Sequence, residues 1–352
     1  MGRLLAFALH HAGWQVTLFD QDENTMNCSS AAAGLLTPTS ELDKSDLLIF
    51  HLGQEAINIH WPRILQQLPE SIYFHQKGSL VLSHPNDRAE WTHFSKRISC
   101  QLGQDADYFQ QLPHDSLIKL EPDLSKFETA YYFPNEAQID CQSVLAMLRK
   151  YLDIKGVKCR MNTHIISLQP GVIITKSDRQ QFDMVFDCRG LGAQSIFPDL
   201  RAVRGELIWL HAPEVELTRP VRFLHPRYSL YLAPRPGNIY LVGASEIEAA
   251  DYSPISVRTT LELLTAAYYV NAGFAEARIL KKITHCRPTF SNHLPRIKYT
   301  EGLIAVNGLY RHGYLIAPTL ADDILRHLNN QQNNKRYPEI WENYDDEDIP
   351  KR

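Results

Sequence analysis

Hydrophobic positions near the start of the chain follow a helical spacing and then switch to alternation. Apolar residues between positions 4 and 12 recur every three or four residues, and Gly13 follows where a helix would end. Residues 15–19 then alternate between polar and apolar side chains, as in a short β-strand, and Asp20 follows. A helix followed by a strand that ends in a carboxylate is typical of a βαβ dinucleotide-binding unit, where the carboxylate binds a ribose hydroxyl. A solvated aspartate at the end of an ordinary strand is the alternative.

Further helices and strands alternate along the rest of the chain. Helical periodicity lies over residues 41–68, 86–102, 139–152 and 315–328. Trp61-Pro62 predicts a kink or break in the first of these helices. Strand patterns lie over residues 71–83, 157–168, 172–175 and 303–306. This alternation favours an α/β fold.

Two segments are suited to lie against a ligand. Residues 28–38 read CSSAAAGLLTP, a stretch of small residues that ends in proline and favours a loop. Residues 182–193 read FDMVFDCRGLGA, an apolar strand that runs into a glycine turn. Glycine lets a backbone approach a cofactor closely, so we expect this turn to be a second contact point.

A β-hairpin is predicted over residues 229–245. Two strand patterns flank Pro236-Gly237-Asn238, a strong turn signal. On the first strand Tyr231 and Ala233 share a face, so the aromatic hydroxyl has a small neighbour beside it. Tyr231 is then either part of a ligand wall or an ordinary cross-strand aromatic.

The dinucleotide-binding pattern is incomplete at its beginning. A Rossmann fingerprint needs an apolar strand and the glycines GxGxxG ahead of the first helix. Here Gly2 takes the position of the third glycine, and no residues precede it for the first strand or the first two glycines. We therefore expect a shortened start, with loss of the innermost strand and of part of the phosphate cradle.

Composition and charge exclude several classes of protein. The 352 residues are 44% hydrophobic with a formal net charge of -4, so no basic field for nucleic acid is expected. The six cysteines show no metal-binding spacing, and no metal site is predicted. We find no signal peptide, no apolar run of membrane-spanning length and no GxSxG nucleophile motif. The expectation is a cytoplasmic enzyme with reduced thiols that acts neither on nucleic acid nor in a membrane.

The cofactor-like pieces lie at both ends of the chain and near its middle, which favours a discontinuous two-domain enzyme. A cofactor domain is predicted from residues 1–40, 135–198 and 286–330. A substrate domain is predicted from residues 41–134 and 199–285. Residues 331–352 form a polar tail with an acidic cluster at 345–348, expected to be mobile or only lightly docked.

Several ordered blocks together resemble one family. They are SSAAAGLLTP, FDCRGLGA, LRAVRGEL, YLAPRPGNIYLVGAS, HCRPTFSNHLPRI and NGLYRHGYLIAPTLAD, following Gly2 and Asp20. This set is similar to the FAD-dependent D-amino acid oxidase family, especially to the glycine oxidases linked to thiamine biosynthesis, and extends over residues 2–328. The resemblance implies a Rossmann-like FAD-binding domain, here with its first strand truncated, and a discontinuous α+β substrate domain that contains an antiparallel sheet.

The resemblance also implies three catalytic positions. Arg287 in HCRP matches the arginine that holds the substrate carboxylate with a bidentate fork. Tyr231 in YLAPR matches a tyrosine that supplies a second hydrogen bond, which favours the ligand-wall interpretation. Arg311 in GLYRHG matches a second arginine near the mouth of the site and the flavin.

The same resemblance implies a set of FAD-binding residues. Residues 308–315 would line the pyrimidine side of the flavin, residues 32–34 the isoalloxazine, and residues 190 and 192 the adenosine half. For Ile165 the implied role is a backbone contact to adenine. The full set is Gly2, Asp20, Ala32, Ala33, Gly34, Ile165, Gly190, Gly192, Gly308, Tyr310, Arg311, His312, Gly313, Tyr314 and Leu315.

The implied activity is oxidation of glycine or another small amino acid or secondary amine. Hydride passes from the α-carbon to flavin N5, molecular oxygen is reduced to hydrogen peroxide, and the imine hydrolyses to a keto acid and ammonia. The alternatives are a flavin-dependent tRNA wobble-uridine modification enzyme, an oxidase of sarcosine or other N-methyl amines, and a truncated flavoprotein without catalysis. Whether the chain is a homo-oligomer is left open.

Overall fold

The computed structural model describes residues 1–22, 26–103, 108–225, 229–329 and 335–344. Its α-helices are α1 (Gly2–His11), α2 (Cys28–Ala31), α3 (Leu47–Glu55), α4 (Trp61–Leu65), α5 (Arg88–Leu102), α6 (His114–Leu120), α7 (Cys141–Ile154), α8 (Val257–Val270) and α9 (Gly313–Leu328). A π-helical turn, Ala56–His60, joins α3 to α4.

The β-strands follow in chain order. They are β1 (Thr17–Phe19), β2 (Leu35–Leu36), β3 (Phe74–His75), β4 (Ser79–Ser83), β5 (Gln110–Pro113), β6 (Thr129–Phe133), β7 (Ala137–Ile139), β8 (Lys158–Arg160), β9 (Ile165–Gln169), β10 (Val172–Thr175), β11 (Arg179–Gln181), β12 (Val185–Asp187), β13 (Arg201–His211), β14 (Val221–Leu224), β15 (Ser229–Arg235), β16 (Ile239–Gly243), β17 (Arg278–Thr289), β18 (Arg296–Thr300), β19 (Leu303–Asn307) and β20 (Trp341–Asn343).

Helix boundaries follow capping side chains. Asp46, Asp140 and Ser256 precede α3, α7 and α8, and each side chain accepts a hydrogen bond from a backbone N–H of the first turn. The helix predicted from residue 41 therefore starts only at Leu47. The break predicted at Pro62 takes the form of the π turn just before it, because proline has no N–H for the regular i→i−4 bond.

The largest sheet has eight strands in the order β17-β13-β16-β15-β14-β4-β6-β5. Every neighbouring pair is antiparallel except β14 and β4, which run parallel with Val221 opposite Leu80. The predicted hairpin is confirmed as β15 and β16, and both Gly237 and Asn238 have positive φ in its turn.

The two faces of this sheet differ, as period-2 alternation requires. On one face Ile208, Leu232 and Val242 pack against α8 in a closed hydrophobic core. On the other face Tyr231 and Ala233 meet the segment around residues 31–35. The second face is therefore the one that can present polar groups to a ligand.

The predicted dinucleotide-binding part consists of two separate pieces, a parallel pair and a mixed four-stranded sheet. One is the pair β1-β8 and the other is β12-β19-β18-β20, in which β12 runs parallel to β19. Within the described ranges, no strand joins the two pieces. The first turn of α1 touches both, since a Cβ at Gly2 would lie 3.6 Å from the Cβ of Cys188 and Arg3 lies 3.7 Å from Asp20. The α/β fold class is confirmed.

One hydrophobic core holds α1, α7 and α9 together, with Leu5, Leu148 and Leu320 among its members. Residues 48–61 also pack into this core, although the sequence pattern assigned them to the substrate domain. The reason is that α3 lies against α9, a contact between chain-distant helices that periodicity cannot show. The two-domain division remains a proposal, with this helix placed on the cofactor side.

Two segments differ from the sequence-based expectation. Residues 28–38, predicted as a loop, contain α2 and β2, because Asn27 and Ser30 form a reciprocal capping box that starts a helical turn. Residues 335–344, predicted as a lightly docked tail, bury Tyr337 and Trp341, and β20 pairs with β18. The predicted acidic cluster at 345–348 lies outside the described residues. Across the part of the chain that is described, none of the helices has the length and apolar character of a membrane span.

Candidate active site

Tyr231 lies across the face of the sheet that meets residues 31–35. It stands opposite Gly243 in the β15–β16 register, and a Cβ at Gly243 would come within 2.8 Å of its hydroxyl oxygen. Only glycine at that position lets the phenol lie flat on β16. Burial raises the pKa of Tyr231 to about 12, so its hydroxyl stays protonated and able to donate a hydrogen bond.

Arg287 lies on the same face, three strands away on β17, with β16 and β13 between. Its guanidinium covers Gly205 of β13, where any Cβ would overlap it. One guanidinium nitrogen donates to the backbone oxygen of Ser245 at 3.1 Å. Within the described ranges, no carboxylate pairs with Arg287. Because Gly205 and Gly243 have no side chains, the guanidinium of Arg287 and the hydroxyl of Tyr231 can lie near each other on this face of the sheet.

Arg311, in contrast, is already occupied by two carboxylates. Its Nε lies 2.9 Å from Glu41, and its Nη1 donates to Glu246 at 2.6 Å. Burial opposes both charges, yet Arg311 and Arg287 lower the pKa of Glu246 to about 2, and the carboxylates raise the pKa of Arg311. Tyr310 donates a further hydrogen bond to Glu246 at 3.2 Å. Arg311 therefore acts as a fixed counter-ion in this structure rather than as an open anion site.

A small cavity, about 30 Å³ in volume, lies beside these groups. Thr37, Glu41, Ser79, Tyr231 and Arg311 are among the residues that border it. Apolar side chains, among them Leu35, Val221 and Leu230, also border the cavity and supply most of its surface, and its size favours a small ligand.

The segment that carries Glu41 is held in place by the buried carboxylate of Glu136. Glu136 accepts hydrogen bonds from the backbone N–H groups of Thr39 and Ser40 at 3.0 and 2.7 Å. Its second oxygen accepts from the hydroxyls of Ser40 and Ser79. These four bonds fix the turn that places Glu41 beside Arg311.

A second anchor on this segment is an ion pair. Arg222 of β14 donates to both carboxylate oxygens of Asp43, at 2.8 and 2.9 Å, and to the backbone oxygen of Ser40. Both side chains are buried. A bidentate pair of this kind fixes orientation as well as distance.

We expect Glu136 to make stability fall as the pH rises. Burial raises its pKa from 4.5 to about 7, although its hydrogen bonds oppose the shift. The folded state therefore keeps the proton between these two values while the unfolded state has lost it. The unfolding free energy should fall from about pH 4.5 to pH 7 by roughly 3 kcal/mol and then level off.

Urea unfolding of the native protein and of Glu136→Gln at pH 5 and pH 8 would measure this effect. The glutamine variant should lose this pH-dependent part of the unfolding free energy, because its amide does not titrate. The amide oxygen can still accept the hydrogen bonds from the backbone N–H groups. Glu70→Gln, at an exposed position, should leave the pH profile as it is. Parallel profiles for native protein and Glu136→Gln would contradict the assignment.

The turn before α9 brings many of the predicted cofactor residues together. Gly308 has a φ of +74°, and a Cβ there would overlap the ring of Phe290. The side chain of Asn307 donates to the oxygen of Gly190 at 2.8 Å, which ties the two predicted glycine turns to each other. Burial lowers the pKa of His312 well below its usual value, so its imidazole is neutral.

Two neighbouring helices begin without a side-chain cap. The N-cap positions of α1 and α9 are Met1 and His312, and neither side chain bonds to the first turn. Free N–H groups at a helix N-terminus, together with the helix dipole, suit a diphosphate or a ring that carries negative charge. Gly313 begins α9 at this point, so its first turn can serve a cofactor through the backbone.

The remaining predicted residues fall into two groups. Gly2 and Asp20 lie on the α1–β1 side, where the backbone oxygen of Asp20 accepts from the N–H of Thr163 at 2.9 Å, whereas Ile165 begins β9 and packs against the cluster that contains Val185 and Leu303. Gly190 and Gly192 form a 3₁₀ turn after β12. These positions suit an adenosine and ribose end, apart from the Tyr231–Arg287 face.

Residues 32–34 lie beside the sheet, held by an arginine that the sequence analysis did not select. Arg235 donates to the oxygen of Ala33 and to the oxygen of Ile139, the latter at 3.0 Å. Gly34 has a φ of +73°, and a Cβ there would overlap Ile139. The segment containing Ala32 is thus a rigid wall next to Tyr231.

Two predicted residues use their side chains for packing. The hydroxyl of Tyr314 donates to the oxygens of Ser29 and Cys141, at 3.1 and 3.2 Å. Leu315 is buried in the core against Gly53. Only their backbone groups remain for a cofactor.

One group of side chains has the spacing of a metal site, but two of its carboxylates already pair with arginines. Glu55, His60 and Asp322 each offer a ligand atom within 4.8 Å of the others. Glu55 already pairs with Arg336, and Asp322 lies 2.6 Å from Arg326. We assign no metal to these described residues.

We expect Gly205→Ala to displace Arg287. The added Cβ would overlap the guanidinium, and an error of about 1 Å at a positioning group can lower kcat/KM by about 100-fold. Steady-state kinetics should show a higher KM, while cofactor content stays the same. Gly103→Ala, where a Cβ meets no atom within 4 Å but the φ of +74° strains the backbone, controls for a general loss of stability away from Arg287. Native kinetics for Gly205→Ala would show that Arg287 has no positioning role.

The sequence of this chain is similar to those of known proteins. Residues 1–326 match the sequence model of the family described as FAD dependent oxidoreductase (DAO). The chain is 34% identical over 333 residues to a putative thiamine biosynthesis oxidoreductase, ThiO, of Rhizobium etli, and the match covers 94% of each protein. It is 23% identical to a glycine oxidase of Geobacillus kaustophilus, over 90% of this chain and 87% of the relative.

Solved structures show the same fold. Iminodiacetate oxidase from Chelativorans sp. BNC1 superposes with a TM-score of 0.82 at 21% identity, over 97% of this chain and 96% of that one. The crystal structure of glycine oxidase from Geobacillus kaustophilus superposes with a TM-score of 0.79 at 20% identity, over 93% and 91%.

Proposed function

Because the chain belongs to the DAO family of FAD-dependent oxidoreductases, we propose that it oxidises glycine or another small amino acid or secondary amine. The observation that supports this proposal most directly is that Arg287 and Tyr231 lie on one face of the sheet, over Gly205 and Gly243. Arg287 offers a fork of donors with no carboxylate of its own, which suits the carboxylate of an amino acid. The similarity to ThiO supports a role in thiamine biosynthesis.

The residues present fit FAD. Asp20 would bind the ribose, Gly190 and Gly192 would lie at the adenosine half, and the uncapped N-termini of α1 and α9 would supply N–H donors. Ala32 to Gly34 and the 308–315 turn would flank the flavin. When bound, FAD supplies the acceptor for hydride from the substrate α-carbon, and molecular oxygen takes the electrons on to hydrogen peroxide.

The protein's own part is orientation and charge. Arg287 holds the substrate carboxylate, and the hydroxyl of Tyr231 donates a second hydrogen bond, so two points fix the α-carbon relative to the sheet. The neutral imidazole of His312 adds no positive charge near the amine, which must be unprotonated for hydride to leave. No side chain has to act as a general base. The imine product hydrolyses to a keto acid, or to glyoxylate from glycine, and releases ammonia from a primary amine or the corresponding primary amine from a secondary one.

The test is to purify the protein, record its flavin spectrum and measure peroxide release with glycine, sarcosine and D-alanine in turn. A flavin spectrum with peroxide release from at least one amine is the expected result. Bound flavin with no turnover of any of them would reject the amino acid oxidase assignment. A colourless protein that cannot be loaded with FAD would favour the non-catalytic alternative. The cytoplasmic location and the oligomeric state stay predictions.

A further inference from the structure

Glu246 holds a fixed position near Arg287 and Arg311. The residue before it, Ser245, hydrogen-bonds through its hydroxyl to Glu206 at 3.0 Å. The residue after it, Ile247, exchanges backbone hydrogen bonds of 3.0 and 2.8 Å with Arg204. The backbone on both sides of Glu246 is therefore tied to β13, and its carboxylate is held against Arg311 and Tyr310.

The charges in this region are unequally shared. Arg311 has two carboxylate partners, Glu41 and Glu246, so these three side chains carry a formal charge of −1, and the nearby Lys44 also stabilises the ionised form of Glu246. Arg287 has none, although its charge also stabilises the ionised form of Glu246. A ligand carboxylate can therefore be neutralised at Arg287, whereas the neighbouring cation is already more than neutralised by the protein.

We propose that Glu246, assisted by Glu41, restricts the substrate to amines that carry a single carboxylate. This inference rests on the proposed oxidase function. A second carboxylate on a substrate held by Arg287 would extend toward Arg311 and meet Glu246 instead of an open cation. Like charges brought close together are disfavoured, and here one of them lies against the largely buried Arg311, which makes the pair an element of selectivity.

The matched substrate pair for this test is sarcosine and iminodiacetate, because the second differs by a carboxylate on the N-methyl group. The native enzyme should prefer sarcosine. Glu246→Gln keeps the shape and the hydrogen bonds of the side chain but removes its charge, so the ratio of kcat/KM for iminodiacetate to that for sarcosine should rise at least about tenfold.

Three comparisons make the result specific. Glu41→Gln should change the ratio in the same direction from a different part of the chain. Glu248→Gln, two residues from Glu246 and paired with the exposed side of Arg201, should leave both values unchanged. A role of Glu246 in structure alone would lower kcat/KM for both substrates together and leave the ratio as it is.

A binding measurement separates this inference from the proposed function. Methoxyacetate and oxydiacetate are unreactive counterparts of the two substrates, and their dissociation constants can be read from changes in the flavin spectrum. The native protein should bind methoxyacetate more tightly, and Glu246→Gln should narrow the difference at least about tenfold. If no amine led to peroxide release but the binding pattern was as expected, only the oxidase proposal would be rejected. An unchanged ratio in both measurements would overturn the role of Glu246.

Discussion

Replacement of Arg287 by alanine is expected to lower kcat/KM for glycine or sarcosine by about 30- to 4,000-fold. Truncating one member of a buried, hydrogen-bonded charge pair costs about 2–5 kcal/mol, and each 1.4 kcal/mol is a factor of ten. The loss should lie mainly in KM, because Arg287 binds a part of the substrate that does not react. Steady-state peroxide release at several substrate concentrations would measure both parameters.

Two variants define what this loss means. Arg287→Lys keeps the charge but not the planar fork, so its kcat/KM should fall between those of the native and alanine enzymes. Arg278→Ala, on the same strand but exposed, should behave like the native enzyme. All variants must first show native flavin content. If Arg287→Ala then turned over amines at the native rate, the carboxylate-binding role would be wrong.

Arg219→Ala is expected to destabilise the protein by about 3–5 kcal/mol at neutral pH. Arg219 pairs with Glu121 at 2.7 Å, and both side chains are buried beside β14. Removing the cation leaves a buried carboxylate whose remaining donors are neutral: the backbone and hydroxyl of Thr218, at 3.1 and 2.7 Å, and the backbone N–H of residue 219. Breaking one side of a buried pair leaves an uncompensated charge, which is the costly case.

The same variant should be more strongly affected as the pH rises. Burial raises the pKa of Glu121 above 4.5 even with Arg219 present, and loss of Arg219 removes a charge that opposes the shift. The folded variant can take up a proton in acid and avoid the cost, so its stability relative to the native protein should worsen above about pH 4.5. Urea unfolding at pH 5 and pH 8 checks this. Arg326→Ala, in a half-exposed pair, should cost less than about 1 kcal/mol, and an equal loss for both variants would contradict the prediction.

Short-range signals predicted much of the structure. The β15–β16 hairpin follows from Gly237 and Asn238 between two alternating strands, and α9 follows from the periodicity after the glycine turn at Gly308. The face of Tyr231 follows from period-2 alternation alone. Each of these features depends on residues within about a dozen positions, which is the range over which a sequence pattern carries information.

The charge arrangement could not be predicted in the same way. Glu41 and Glu246 meet at Arg311 only because the eight-stranded sheet and the α9 turn bring three distant segments together. Gly205 is an ordinary glycine in the sequence until β17 lies beside β13 and places Arg287 over it. The burial of Tyr337 likewise depends on a hydrogen bond of 2.7 Å to Glu55, across most of the chain. Such contacts are set by strand order and helix packing, which composition and periodicity do not encode.

The parallel pairing of β4 with β14 also determines when the site can form during folding. Leu80 and Val221 are adjacent in the sheet but about 140 positions apart in the chain, and Arg287 lies further on still. Pairings between such distant segments form slowly, and chains emerge from synthesis N-terminus first. The substrate-facing side should therefore be completed only after nearly all of the chain has been made, whereas helices such as α7 can form early. Chains interrupted before residue 289 would carry unpaired strands of this sheet and depend on chaperones to stay in solution.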